Sequence, residues 1–90
     1  MKFEWDQNKA ASNLSNHGIS FDEAKTVFND PLYVDFFDPD HSYKEHRYII
    51  IGQSTDNRLL LVAYTEREDT IRLISAREAT RKERKDYEEG

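Results

Sequence analysis

Residues 47–77, RYIIIGQSTDNRLLLVAYTEREDTIRLISAR, decide the fold. Three segments rich in β-branched and aromatic residues, Arg47–Gln53, Arg58–Glu66 and Thr70–Arg77, are separated only by Ser54-Thr55-Asp56-Asn57 and by Arg67-Glu68-Asp69. Polar connections this short make hairpins, so the three strands form an antiparallel meander. Pairing across the turns places Arg47 near Tyr64 and Tyr64 near Leu73. One face then carries Arg47, Ile49, Ile51, Leu60, Val62, Tyr64, Ile71, Leu73, Ser75 and Arg77. The other carries Tyr48, Ile50, Leu59, Leu61, Ala63, Arg72, Ile74 and Ala76. Both faces are apolar in the middle, whereas a sheet with one wet face alternates apolar and polar residues.

Outward from the meander, the amino-terminal half supplies helices. Lys2 to Trp5 reads as a short strand. Asp6 is an N-cap for a helix over residues 7–16, closed by Gly18. Ser20-Phe21-Asp22-Glu23 has the form of a capping box, opening a helix with Phe21, Ala24, Val27 and Phe28 on one side and ending before Asp30-Pro31. A strand is expected over Leu32 to Phe36, then a loop through Asp38-Pro39-Asp40-His41. The carboxy-terminal helix starts at the capping box Thr80-Arg81-Lys82-Glu83. The expected order is β-α-α-β-β-β-β-α in one α+β domain spanning residues 1–90, with two amino-terminal helices and one carboxy-terminal helix on an antiparallel sheet. In the last helix only Tyr87 has substantial apolar surface, so it covers the second sheet face poorly. An exposed apolar sheet face predicts a partner, either a different protein or a second copy in a homodimer.

Ninety residues suffice for one domain. Hydrophobic residues at 37% keep the chain above the disordered range. With no cysteine there is no disulfide framework, thiolate nucleophile or Cys-ligated zinc. No apolar run is long enough to span a membrane, and the start of the chain lacks the apolar stretch of a secretory signal, so the expected location is the cytoplasm. The net charge of −5 argues against indiscriminate nucleic-acid binding. Its distribution is uneven: residues 1–46 hold nine acids and four lysines, residues 47–90 nine acids and nine bases. All seven arginines (47, 58, 67, 72, 77, 81 and 84) lie in that neutral second half, where their planar forks can grip phosphate. The register places Arg47, Arg67 and Arg72 toward one end of the meander. Arg58 and Arg77 fall toward the other end, near Arg81 and Arg84.

Asp38, Asp40, His41 and His46 are close in sequence, but no metal-ligand spacing matches and Asp-Pro-Asp-His is ordinary turn chemistry. No nucleophile elbow or glycine-rich phosphate loop occurs. Ribonucleolytic cleavage needs less: a base for the 2′-hydroxyl, a cation for the phosphorane and an acid for the leaving oxygen, with no cofactor. His17, Glu66, Tyr64 and Tyr87 can serve beside the arginines. Each also has a structural role open to it, such as His17 at a helix C-terminus or Tyr64 in a core.

Phe3-Glu4-Trp5-Asp6 with Lys9, Asn13, His17-Gly18 and Ser20-Phe21-x-Glu23-Ala24 resembles the opening of BrnT-type toxins. The likeness continues through Val27-Phe28-x-Asp30-Pro31, Arg47-Tyr48-x-x-x-Gly52-x-Ser54, Arg58-Leu59-Leu60 and Tyr64-Thr65-Glu66-Arg67. It ends with Ile71-Arg72-x-Ile74-Ser75-Ala76-Arg77-x-Ala79-Thr80-x-x-Glu83-Arg84-x-x-Tyr87. Two departures stand out: Asn57 where that family usually has glycine, and His46 where an acid is common. The resemblance implies a bacterial type II toxin with a RelE-like fold, a ribonuclease that inhibits translation. It also implies a cognate BrnA-type antitoxin, through which alone the complex would contact DNA. Arg67 and Arg77 are then the expected phosphate binders, with Glu66 or His17 for proton transfer. Lys9 and Tyr87 are further catalytic candidates, and Arg47, Arg72, Arg81 and Arg84 are candidates for RNA binding. No metal or cofactor is expected. The alternatives are a non-catalytic partner-binding module acting in transcriptional autoregulation and a nucleic-acid-binding domain without cleavage.

Overall fold

Asp6 accepts from the backbone N–H groups of Asn8 and Lys9 at 2.7 and 3.1 Å, satisfying free donors at the start of α1 (Gln7–His17). Gly18, at φ 69°, closes that helix in the left-handed conformation that a side chain would disfavour. Ser20 caps α2 (Phe21–Ala24), which tightens into a 3-10 turn over Lys25–Asn29 before Asp30-Pro31 stops it. The expected capping box here is only half made. Glu23 turns inward instead, where its carboxylate takes hydrogen bonds from Ser54 Oγ at 2.7 Å and from Arg58 Nε at 2.9 Å. A buried carboxylate gains more from a guanidinium than from one backbone N–H, and the Arg58 hydrogen bonds hold Glu23 below the usual glutamate range.

The computed structural model describes all 90 residues. Besides these helices it contains β1 (Lys2–Glu4), β2 (Val34–Phe37), β3 (Arg47–Gln53), β4 (Leu59–Arg67), β5 (Thr70–Glu78) and α3 (Arg81–Glu89). The strands lie in the order β1-β5-β4-β3-β2. The element order and the α+β class are as expected, but the sheet is mixed. β2 to β5 are antiparallel, whereas β1 lies parallel to β5 with Phe3 opposite Ile71. Hairpin logic governs only sequence neighbours, and β1 reaches β5 through most of the chain with no turn to reverse it.

Two single-residue irregularities redraw the expected faces. Asn57, at φ 64°, adds a left-handed residue to the first turn, so Gln53 meets Leu59 and Arg47 lies opposite Thr65 rather than Tyr64. A one-residue slip exchanges the two faces of a strand, and Tyr48 and Ile50 accordingly join Leu60, Val62 and Tyr64. The second irregularity is a β-bulge: Tyr64 pairs with Leu73 but Ala63 pairs with Ser75, leaving Ile74 extra. Beyond it Ala76 packs on the side of Leu73, while Ser75 and Arg77 point to the opposite side.

The larger core lies between the sheet and the amino-terminal helices, where Ile19, Phe21, Ala24 and Val27 meet Ile50, Leu60, Val62, Tyr64, Leu73 and Ala76. Edge-on contacts of Phe28 with Phe3 and Tyr64, at 5.2 and 5.0 Å between centroids, close its rim. Gly52 permits the 3-10 turn to sit directly on β3. A Cβ there would lie 3.0 Å from the Val27 carbonyl oxygen. On the other face Ile49, Ile51, Leu59 and Ala63 form a smaller cluster, with Tyr87 of α3, Ala79 and Val34 packed over one end. Leu61 and Ile74 beside it are only partly buried, so the apolar sheet face expected to lie exposed is largely closed within the chain.

Candidate active site

The open part of the sheet face is a groove in three connected lobes, and the bulge at Ile74-Ser75 is its crest. One lobe, of about 360 Å³, is lined by Lys9, His41, Lys44, Glu45, Arg47, Thr65 and Ile74 among others. A second of the same volume includes Phe36, Asp38, His41, Arg47, Ala63, Ser75, Arg77 and Glu83. The third, of about 400 Å³, holds Lys9, Asn13, Asn16 and His17 beside Ile74 and Ser75. Volumes of this order suit a nucleotide-sized ligand. Four of the candidates from the sequence, Lys9, His17, Arg47 and Arg77, thus line one continuous surface.

Arg77 reaches that surface because the bulge turns it to this side of β5. Its fork is occupied: Nη1 and Nη2 each donate to one oxygen of Glu83 at 2.8 Å. Glu83 is also the third helical residue of the α3 capping box, accepting from the Thr80 backbone N–H at 2.9 Å. The Arg77 hydrogen bonds, outweighing the opposing cost of burial, pull the Glu83 carboxyl down to about 2. Arg47 is differently placed. Its Nε is buried with no hydrogen-bond partner, 3.9 Å from Asp38 Oδ2, and Thr65 Oγ1 in the same lobe is buried and unpartnered as well. Buried polar atoms are rarely left bare, and Asp38 is the nearest charge to the Arg47 Nε.

The remaining candidates lie apart from the groove floor. Arg67 donates to Glu45 at 3.2 and 2.8 Å and stands 3.8 Å from Glu4, at the rim of the first lobe. Arg72 is held by Glu4 at 2.6 Å. Glu66 pairs in register with Ile71, which places it on the helical side of the sheet, and it is exposed. Tyr64 is in the main core and donates to Asp35 Oδ2 at 3.2 Å; burial, then Asp35, raise its hydroxyl far above the usual range. Tyr87 donates to Asp30 Oδ2 at 2.6 Å, a contact that pushes it up to about 12. Arg81 and Arg84 are exposed on α3. As the register predicted, Arg67 and Arg77 line different parts of the face.

Two contributors escaped the sequence. Asn13 ties α1 to β5 beside the bulge, and only its place in a family motif flagged it. His41, weighed above only as a metal ligand, instead donates from its Nδ1 to Asp38 Oδ2, 2.9 Å away. No group of three or more His, Cys, Asp or Glu side chains is arranged to hold a metal ion. The first two lobes carry the cations Lys9, Lys44, Arg47 and Arg77 against the carboxylates Asp38, Glu45 and Glu83. The acidic total of the chain therefore resides elsewhere.

A five-stranded mixed sheet with two amino-terminal helices on one face and α3 on the other matches a known architecture. The fold is similar to the 1.1 Å crystal structure of the Brucella abortus ribonuclease toxin BrnT, with a TM-score of 0.66 over 90% of this chain and 99% of that one, at 21% identity. Comparison with curated proteins gives no match. Residues 5–83 match the family described as the ribonuclease toxin BrnT of type II toxin–antitoxin systems. The chain belongs to that family, whose members are toxins paired with an antitoxin.

Proposed function

We propose that this protein is a metal-independent endoribonuclease that cuts RNA in the cytoplasm, so inhibiting translation, and that a BrnA-type antitoxin neutralises it. The observation that carries the proposal is the convergence of Arg47, Arg77, Lys9 and His17 on one groove across the bulge. A phosphodiester laid over Ser75 lies between the two arginines. Arg47 binds its non-bridging oxygens, Arg77 joins it when the phosphate displaces the Glu83 carboxylate from that fork, and the two stabilise the added charge of the phosphorane. The 2′-hydroxyl attacks the neighbouring phosphorus, the bond to the 5′-oxygen breaks, and proton transfer at both oxygens is left to side chains such as His17. The products are a 2′,3′-cyclic phosphate and a 5′-hydroxyl. The edge strand β2, with Phe36 and Phe37 both partly exposed beside the groove, suits the antitoxin as occluding partner.

Incubating 5′-labelled RNA with the purified protein in EDTA, with and without ribosomes, tests this. The wild type should cleave, and Arg47→Ala with Arg77→Ala should not. The occupation of Arg77 by Glu83 favours one second reading, a non-catalytic module that binds its antitoxin. RNA left intact under both conditions would establish that reading instead.

A further inference from the structure

Asp38 and His41 form a carboxylate–imidazole pair beside Arg47. Asp38 is largely buried, with its side chain 15% exposed, and its two oxygens have separate tasks. Oδ1 accepts from the Asp40 backbone N–H at 3.2 Å and starts the short turn Pro39–His41. Oδ2 faces His41 Nδ1 at 2.9 Å and Arg47 Nε at 3.9 Å. A carboxylate at Nδ1 fixes the proton on that nitrogen and leaves Nε2 as a free base. His41 lines both lobes that flank Arg47.

From this geometry we infer that His41 is the base that removes the 2′-hydroxyl proton, with Asp38 as its positioning residue. The inference rests on the ribonuclease reading above and supplies the proton acceptor which that reading left open. In the step itself, the 2′-hydroxyl proton passes to His41 Nε2 as its oxygen bonds to phosphorus. The bond from phosphorus to the 5′-oxygen breaks, and that oxygen takes a proton from solvent. The groups facing His41 are Arg47 from β3, Lys9 from α1, Arg77 from β5, Glu83 from α3, and Lys44 and Glu45 from its own loop. The cations of this set also attract the phosphate, so substrate and base meet at the same place.

The test is RNA cleavage in EDTA, with and without ribosomes, by wild type, His41→Gln, His41→Gly and Asp38→Asn. Loss of a general base should lower kcat of His41→Gln by about 10²- to 10⁴-fold with KM unchanged. Added imidazole should restore His41→Gly, a rescue that a folding defect would not permit. Asp38→Asn keeps the Oδ1 cap and should lower kcat while leaving the melting temperature near wild type. A wild type that cuts, beside a His41→Gln that cuts equally fast, overturns the role of His41 and leaves the ribonuclease reading standing. A wild type that leaves RNA intact overturns both.

Discussion

Asn13→Ala should unfold this protein more readily than any comparable change on an exposed helix, and the structure gives the size. Asn13 is 5% exposed and makes three hydrogen bonds. Its Nδ2 donates to the carbonyls of Ile19 and Ala76 at 2.9 and 2.8 Å, and its Oδ1 accepts from the Ala76 N–H at 3.0 Å. β1 covers β5 only from Thr70 to Arg72, so the outward backbone groups of Ala76 have no strand to meet. The Asn13 amide takes the place of that strand. At about 1 kcal/mol net for each hydrogen bond, alanine costs about 3 kcal/mol. Leaving the Ala76 groups buried without partners raises the loss further. For a domain of this size, about 3 kcal/mol lowers the melting temperature by about 12–24 °C. Circular dichroism melts and urea titration measure it, with an unchanged m-value as the sign that stability alone has moved. Because Asn13 secures β5 one residue past the bulge, RNA cleavage at low temperature should fall as well. A loss below about 1 kcal/mol would refute the strand-mimic account, since solvent would then satisfy Ala76 as well as Asn13 does.

Other substitutions test the turns, the groove and the close approach of the 3-10 turn. Asn57 and Glu68 sit at φ 64° and 56°, so Asn57→Gly and Glu68→Gly should each leave stability unchanged or raise it by up to about 1 kcal/mol, read by urea midpoint. Glu83 titrates at about 2 in the folded chain against 4.5 for an ordinary glutamate. A depressed carboxyl contributes stability that is present above about pH 4.5 and lost as pH falls toward 2, so Glu83→Gln should flatten that part of a pH-dependent melting curve. The same variant frees the Arg77 fork and should tighten binding of RNA, measured by anisotropy at fixed salt. Gly52→Ala brings a Cβ to 3.0 Å from the Val27 carbonyl and 3.2 Å from Val27 Cβ, and should destabilise by about 1–3 kcal/mol in a thermal melt.

Local pattern was sufficient for most elements. Asp6, Gly18, Ser20 and Thr80 mark helix boundaries through backbone groups within a few residues of each, and all four act in the structure. The hairpins follow equally well, because Ser54–Asn57 and Glu68-Asp69 leave the chain no length to do anything else. The BrnT family was legible too, from short motifs spread along nearly the whole chain in order. Face assignment was not. Whether a turn holds an extra left-handed residue, or a strand an extra bulged one, changes no hydrophobic pattern, since both faces of this sheet are apolar at the centre. Yet each irregularity reverses the faces of a strand.

The amino-acid sequence by itself therefore determined the order of the elements, the two hairpins and the membership of the family, all of which depend on near neighbours or on ordered motifs. Tertiary structure decided which side chains meet. It laid β1 parallel to β5 and drew Glu23 away from its helix to Arg58. By the extra turn residue at Asn57 and the bulged residue at Ile74, it moved Arg47 and Arg77, expected together beside Tyr64 and Leu73, to the opposite face near Lys9 and His41. The physical reason is the two-residue period of a strand: one added residue costs little locally and reverses every side chain beyond it.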